Sequence, residues 1–192
     1  MPRTNRERTD ATRAALLDAA RALFVDKGYE ATSTPEVCEA AGMTRGALYH
    51  HFEDKRDLFR QVLARESASV TREIVESMGE NRSARDALLA GTSAYLRAMA
   101  VQGRTRLQLV EGPAVLGLGE TMALDAANEA STLREGLEDA GIGEKDVPLE
   151  ELVFMLSAAF DRAAVAVDMG ADAKRVERAL GWLLDRVIAD GK

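Results

Sequence analysis

The most constraining feature of this sequence is a pair of short helical patterns separated by only two residues. Ser33, followed three residues later by Glu36, forms a capping box, which predicts a helix start. That pattern ends at Gly42, a residue type that favours helix C-termini, and Thr44 is a good N-cap for the next helix. Two short helices that meet in so tight a turn predict a helix-turn-helix over residues 34–52.

The second of these helices has the polarity that a DNA recognition helix needs. Such a helix is held to its scaffold by apolar residues and presents polar residues near its N-terminal end to base edges. Leu48 and Phe52 are predicted to face inward, and Thr44, Arg45 and Tyr49 to face outward. The pattern therefore predicts double-stranded DNA as a partner.

Helix-forming residues also dominate the rest of the chain. Ala, Leu, Glu and Arg are abundant, only 5% of residues are aromatic, and no run of alternating β-branched residues indicates a strand. We expect an all-α fold. An N-terminal three-helix DNA-binding domain, residues 1–53, is predicted to precede a C-terminal helical domain, residues 54–192.

Caps, glycines and prolines divide this chain into predicted elements. Gly112 and Pro113 are expected to end a short helix, and the stretch 112–120 to be a loop. The helix at about 149–169 is apolar around most of its circumference, so it needs partners on more than one side. The predicted helices outside the helix-turn-helix run from Thr9 or Asp10 to Gly28, from Asp54 to about Met78, and over about 83–101, 104–110, 121–141, 149–169 and 172–189.

The charge is unevenly distributed along the chain. Residues 1–60 hold 10 Lys and Arg against 10 Asp and Glu, so the net charge of −7 belongs to the second part. At the N-terminus Arg3, Arg6 and Arg8 face only Glu7, which predicts a short basic arm along a phosphate backbone. A disordered N-terminus is the alternative interpretation.

The cysteine and histidine content argues against a metal or disulfide framework. Cys38 has no second cysteine to pair with, and it is predicted to be a small buried filler. His50 and His51 are adjacent helical residues that point about 100° apart and cannot converge on one ion. We predict no metal and no cofactor. Without an apolar signal segment or a span of about 20 apolar residues, we expect no membrane association and a cytoplasmic location.

One segment closely resembles a known family. Residues Phe24-Val-Asp-Lys-Gly-Tyr, then Ala-Gly-Met-Thr-Arg-Gly-Ala-Leu-Tyr-His-His-Phe and the following Lys55, are similar to the DNA-binding region of the tetracycline-repressor (TetR) family. The resemblance covers residues 10–60. It implies a homodimeric repressor that binds a palindromic operator and is released when a small apolar or amphipathic effector binds the C-terminal ligand-binding and dimerisation domain.

The resemblance also implies roles for individual residues. Arg45 is the expected base reader, because its planar fork matches guanine O6 and N7, although a phosphate contact alone is the alternative. Gly46 suits a close approach of backbone to the duplex, and Lys55 is either a phosphate contact or a solvated charge. Pro35 departs from the family, which often has a long polar residue there. The predicted DNA-binding residues are Thr34, Thr44, Arg45, Gly46, Tyr49, His50 and Lys55.

The second part resembles the family only in pattern, so its candidate residues depend on residue type. Adaptable apolar side chains predict a ligand cavity, with plain core packing as the alternative for each: Met99, Leu107, Val110, Met122, Met155 and Phe160. The last two helices predict a dimer interface, with intramolecular core as the alternative: Phe154, Ala158, Trp182 and Val187. Arg106, Glu111 and Asp161 would need a ligand or an internal partner if they face inward.

Two other classes of function are alternatives to a regulator. An all-helical enzyme is possible in principle, but no nucleophile–base pair or repeated Glu-x-x-His motif appears in the sequence. A protein-interaction module would use the helix-turn-helix only for helical packing. Salt-sensitive binding to DNA separates the regulator from the interaction module.

Overall fold

Helices form nearly all of the computed structural model, which describes residues 5–79, 83–145 and 147–190, and no strand occurs within these ranges. The all-α prediction is confirmed. In chain order the helices are α1 (Asn5–Lys27), α2 (Thr34–Ala41), α3 (Arg45–His51), α4 (Lys55–Met78), α5 (Ala84–Met99), α6 (Arg104–Arg106), a π-helix (Leu107–Glu111), α7 (Gly112–Leu116), α8 (Leu118–Ala126), α9 (Glu129–Asp139), α10 (Leu149–Asp168) and α11 (Ala173–Asp190).

Local capping chemistry sets several of these helix starts. The Ser33 side chain accepts from the backbone N–H of Glu36, and the Glu36 carboxylate accepts from the backbone N–H of Ser33 at 2.9 Å, which completes the predicted capping box. Asp54 accepts from the Asp57 backbone N–H at 2.7 Å, and Ser83 caps α5 in the same way. These predicted starts are confirmed.

Two hydrophobic cores lie along the chain, and α4 contributes to both. The first core joins α1, α2, α3 and the first half of α4, where the rings of Phe24 and Phe59 pack edge to face at 5.1 Å. The second core joins the latter half of α4, including Val70 and Ile74, to α5, α9, α10 and α11. The division between the two cores therefore lies within α4, some residues after position 53.

The segment 104–116 corrects the predicted end of a helix at Gly112 and Pro113. The backbone N–H of Gly112 donates to the Leu107 carbonyl, five residues back, and the helix continues to Leu116. In an α-helix the Pro113 ring would clash with the carbonyl of Leu109. The widened π turn accommodates the proline, so only Gly117 interrupts the stretch that was expected to be a loop.

The predicted helix 121–141 is instead two helices, α8 and α9. The break lies at Ala127 and Asn128. The Asn128 side chain donates to the Leu124 carbonyl at 2.6 Å, and short polar side chains that bond to nearby backbone compete with helix propagation. Asp125 lies near the end of α8, before this break, and Glu129 begins α9 after it.

The N-terminal residues are helical as far as the structure describes them. Helix α1 begins at Asn5 and not at Thr9 or Asp10, so Arg6 and Arg8 are exposed residues of its first turns. Arg3 of the predicted basic arm lies outside the described residues. An extended arm is therefore not what Arg6 and Arg8 form in this structure.

Candidate nucleic-acid interface and effector cavity

The turn between α2 and α3 is fixed by backbone bonds. Gly42 adopts a left-handed conformation, with φ of 65°, and its N–H donates to the Glu39 carbonyl at 3.1 Å. The N–H of Met43 donates to the Cys38 carbonyl at 2.8 Å. A left-handed residue followed by such bonds is the usual way to end a helix sharply. Cys38 itself is buried in the first core, as predicted.

A contact between Thr34 of α2 and Tyr49 of α3 joins the two helices on one polar face. The Thr34 hydroxyl and the Tyr49 hydroxyl are 3.2 Å apart, and 47% of Tyr49 is exposed. The hydrogen bond to Thr34, followed by one to Arg45, lowers the pKa of the Tyr49 phenol. Three of the predicted DNA-binding residues thus form one connected group.

The N-terminal end of α3 is exposed and has donors available for phosphate. The Thr44 Oγ1 atom accepts from the Ala47 N–H at 3.1 Å, so its own hydroxyl hydrogen can point outward. Arg45 and His50 are exposed beside it. A Cβ atom placed on Gly46 would meet only Thr44 Oγ1, at 3.8 Å. Because no packing within the chain requires glycine there, an external close approach is the better explanation.

Lys55 has different surroundings from those that the sequence predicted. Its ammonium donates to the carbonyls of Tyr29 at 3.0 Å and Thr32 at 3.1 Å, and it lies 4.1 Å from the centre of the Tyr29 ring. Lys55 is therefore not the freely solvated charge that was the alternative. It holds the loop between α1 and α2 against the start of α4, with one N–H left for another partner.

The histidine pair does not assemble a metal site. The His50 and His51 rings are 5.2 Å apart, and burial lowers the pKa of His51. Among the residues that the structure describes, no group of three or more His, Cys, Asp or Glu side chains is arranged to hold a metal ion. Nor does the described part of the chain contain a helix long and apolar enough to cross a bilayer.

Three neighbouring cavities lie among the helices of the second core, with volumes of about 50, 330 and 540 Å³. All three have Asp125 and Asp161 in their walls. Phe160 lines the first cavity, and Met122 lines the second and third. These two are the predicted ligand-binding residues that the structure places at a cavity. We call the three spaces together the effector cavity.

The other four candidates for ligand binding lie elsewhere. Met99 is buried in the second core and Leu107 in the first, so both take the packing role that was the alternative. Val110 is 55% exposed and Met155 is 68% exposed. Helix α10 directs Leu156 and Phe160 inward, which turns Met155 to the surface, and the outer side of the π-helix carries Val110. None of these four residues lines any of the three cavities described above, so for them a role in the cavity wall stays a prediction.

The candidates for the dimer interface are mostly surface residues of this chain. Phe154 is 55% exposed and Trp182 is 61% exposed, and Ala158 is exposed beside Phe154 on α10. Phe154 and Ala158 also line the third cavity, which therefore borders this surface. Val187 is half-buried and packs against the second core, which is the intramolecular alternative. Large exposed apolar side chains on the last two helices form the kind of surface that another protein chain covers.

Sequence reasoning missed the polar lining of the effector cavity. Asp125, Glu129 and Asp161 line it, and only Asp161 was singled out from the sequence, without a direction. The Tyr95 hydroxyl donates to Asp161 at 2.7 Å, and the Ser67 hydroxyl donates to Glu129 at 2.6 Å. Burial raises the pKa of Asp125 to about 6 and of Glu129 to about 7, and it also raises the pKa of Asp161.

The π-helix connects this cavity to the DNA-binding helices. On one side Gln108 lines the cavity, and on another Leu107 packs into the first core. Glu111 accepts from the backbone N–H of Tyr29 at 2.9 Å and pairs with Arg106 at 2.8 Å. A ligand that displaces this segment would therefore also displace the residues at the end of α1.

A buried ionic cluster makes a second connection between the two cores. Glu66 is buried on α4, and its carboxylate binds Arg21 of α1 at 2.8 Å and Arg104 of α6 at 3.0 Å. Arg104 also reaches Glu73 at 3.0 Å and the Ala98 carbonyl at 2.7 Å. The two arginines lower the pKa of Glu66 against the opposing effect of burial. Such a cluster makes relative movement of α1 and α6 costly.

Comparison with known proteins identifies regulators. Residues 16–62 match the family described as bacterial regulatory proteins, tetR family. The HTH-type transcriptional regulator AcrR of Shigella flexneri is 45% identical over 62 residues, which cover 32% of this chain and 29% of that protein. The HTH-type transcriptional repressor AcnR of Corynebacterium diphtheriae is 28% identical over 97% of both chains. The structure of a TetR-family transcriptional regulator from Pectobacterium atrosepticum has a TM-score of 0.70 and 25% identity, covering 96% of this chain and 95% of that one.

Proposed function

Because this chain belongs to the TetR family of bacterial transcription regulators, we propose that it is a cytoplasmic homodimeric repressor. The dimer binds a palindromic operator, and a small effector releases it from the DNA. The observation that carries the proposal is the exposed polar face of α2 and α3. On this face Gly46 leaves space for a close approach from outside, because no packing within the chain requires a glycine there. The repressor named AcnR, which aligns over nearly its whole length, supports repression over activation.

DNA recognition is assigned to the face that contains Thr34 and the residues from Thr44 to His50. Thr34, Thr44, Tyr49 and His50 offer hydroxyl and imidazole donors for phosphates, which fix the position of the helix on the duplex. Arg45 enters the major groove and reads a guanine. Lys55 acts chiefly through Tyr29 and Thr32, by holding the α1–α2 loop from which α2 begins.

Dimerisation is assigned to the exposed apolar face of α10 and α11. Phe154, Ala158 and Trp182 supply that face, and the Arg186 guanidinium lies 5.3 Å from the centre of the Trp182 ring. Pairing the last two helices of each chain gives a four-helix bundle, and its two-fold symmetry presents two recognition helices to successive major grooves.

Release from the operator follows from the position of the π-helix. An effector in the cavity contacts Gln108, Leu109 and Pro113 on this segment, and the same segment holds Tyr29 through Glu111. An effector that favours another position of the π-helix shifts the population toward dimers whose recognition helices no longer match the groove spacing. Coupling of this kind requires that the effector bind the two states with different affinity.

The alternative classes lack a supporting observation of this kind. An interaction module does not explain why α3 has a glycine at its N-terminal end, where no packing within the chain requires one, with an exposed arginine beside it. For an enzyme, the relatives offer no precedent, because they are named as transcription regulators. We therefore assign no catalytic residue.

The test is selection of random duplex DNA by the purified full chain at two salt concentrations, followed by sequencing of the retained pool. A palindromic motif with two half-sites about one helical turn apart is expected, with affinity that falls as salt rises. Arg45→Ala should retain DNA with a relaxed motif, and Asp139→Asn, on an exposed site of α9, should retain the original motif. Retention without any motif, or no retention, would reject the proposal.

A further inference from the structure

The effector cavity contains three carboxylates that are not paired with a cation among the described residues. Asp125, Glu129 and Asp161 come from α8, α9 and α10, and all three line the second cavity. Among the ion pairs formed by the described residues, none joins Lys or Arg to any of these three. All three residues are half-buried, and carboxylates that are withdrawn from water in proteins are usually paired with a positive group or a metal.

The polar contacts that these carboxylates do make are with neutral hydroxyls. Tyr95 donates to Asp161 and Ser67 donates to Glu129, and each bond satisfies only part of the acceptor capacity of a carboxylate. Within the described chain the Asp125 side chain accepts no hydrogen bond, and its raised pKa has only burial and the nearby Asp161 as causes. The carboxylates of the cavity are therefore available to bind an external partner.

The remaining charged groups around the cavity do not neutralise it. Arg162 borders the second cavity, but its side chain is exposed. Arg134 borders the third cavity, where its guanidinium is bound to Glu150 at 2.8 Å and to Glu138 at 3.2 Å. Glu135 and Glu150 add further negative charge to the third cavity wall. The cavity as a whole is acidic.

The rest of the lining suits an apolar body. The rings of Tyr95 and Phe160 pack edge to face at 5.6 Å, and Met78 and Met122 lie among leucines around them. Aromatic faces and thioethers attract organic cations and pack against irregular apolar shapes. A hydrated metal ion would leave this surface unfilled. The Nε2 atom of Gln108 is buried without a partner among the described residues, and it can donate to an acceptor on the ligand.

On the premise of the proposed function, that this cavity holds the effector, we propose that the effector is an organic cation with an apolar body. Its charge, an amine or a quaternary ammonium, lies beside Asp125, Glu129 and Asp161. The apolar body lies against Tyr95 and Phe160.

Titration of the carboxylates predicts a pH dependence of ligand affinity that burial of the apolar body alone would not produce. With pKa values of about 6 for Asp125 and about 7 for Glu129, the empty cavity holds protons near neutral pH. A permanent cation binds best when the carboxylates are ionised, so its binding releases protons and strengthens as pH rises through this range. Burial keeps the pKa of Tyr95 well above its ordinary value, so Tyr95 stays neutral throughout.

The experiment measures binding to the full-length dimer by calorimetry. The probes are (4-phenylbutyl)trimethylammonium, its neutral isostere with carbon in place of nitrogen, and 4-phenylbutylsulfonate. The cation should bind about ten-fold or more tightly than the isostere. Asp161→Asn and Glu129→Gln keep an oxygen that accepts from Tyr95 or Ser67, so the fold is retained while the affinity for the cation falls about ten-fold. Asp139→Asn, on the exposed side of α9, is the matched control for the lost charge and should change neither affinity.

The affinity for the cation should rise between pH 5.5 and pH 8, and the affinity for the isostere should not. Because cation binding releases protons, the measured heat of cation binding should depend on the buffer. Equal or tighter binding of the isostere or the sulfonate, no binding of the cation, or cation binding unaltered in both cavity variants would overturn the inference. Binding of the selected operator is measured on the same preparation without a probe. Loss of operator binding alone would reject the proposed function, whereas loss of charge preference alone would reject this inference.

Discussion

Replacing Glu129 by glutamine should make the protein more stable, and increasingly so as pH rises. Burial raises the pKa of Glu129 from 4.5 to about 7, in spite of the hydrogen bond from Ser67. Between these pH values the folded chain keeps a proton that the unfolded chain has lost, so the stabilising contribution of the protonated group is lost as pH rises. One pKa unit corresponds to about 1.4 kcal/mol, so the full cost of ionising Glu129 is about 3 kcal/mol above pH 7.

The variant Glu129→Gln removes this cost, because the amide carries no charge and its oxygen still accepts from Ser67. The difference between its free energy of unfolding and that of the parent should be small at pH 4.5 and about 3 kcal/mol at pH 8. Urea denaturation followed by circular dichroism, at one protein concentration, measures it at each pH. Asp139→Asn is the matched control, since its exposed carboxylate should give a difference that does not change with pH. A gain that is the same at every pH, or a loss of stability at pH 8, would refute the assignment of Glu129 as a buried, proton-holding carboxylate.

Further predictions concern the DNA face and the connections between the two cores. Arg45→Ala should relax base preference at one position of each half-site by about 1–3 kcal/mol, measured by competition among operator variants; a uniform loss on all sequences would make it a phosphate contact. Lys55→Met should lower the free energy of unfolding by about 1–3 kcal/mol, because two carbonyls lose their donor, and unchanged thermal denaturation would contradict this. Arg104→Met removes one of the two arginines that bind buried Glu66 and leaves Arg21 in place, so it should cost about 1–3 kcal/mol by urea denaturation, and unchanged stability would contradict this. Glu111→Ala should leave binding of the cationic probe intact and weaken the effect of that probe on operator affinity in a titration; an undiminished effect would exclude this route of coupling.

The helix-turn-helix was predictable because its determinants are local. The capping box at Ser33, the left-handed Gly42 and the Thr44 cap each act within about four residues, so the order of residues is enough to specify the turn. The inward direction of Leu48 follows from the same short amphipathic pattern. The structure contains these features as the sequence predicts them, and they lie in the segment that resembles the TetR family.

The segment from Arg104 to Glu129 was not predictable in the same way. Proline after glycine is a strong signal for the end of a helix, yet packing of Leu107 and Leu116 into the first core holds this segment helical, and a π turn accommodates the ring. The break at Asn128 depends on one side chain bonding to its own backbone. Around Pro113 local propensity and tertiary packing conflict, and packing decides the outcome because it buries more apolar surface.

The sequence by itself determined the all-helical class, the helix-turn-helix and which residues of α3 are exposed, because backbone caps and the 3.6-residue period act over short distances. Only the tertiary structure decided which residues line the effector cavity. Helix α10 is apolar on several sides, so the direction of Met155 and Asp161 depends on which helices pack against it, and that is a contact between residues far apart in the chain. The same holds for Lys55, whose charge was visible in the sequence but whose carbonyl partners come from the loop before α2.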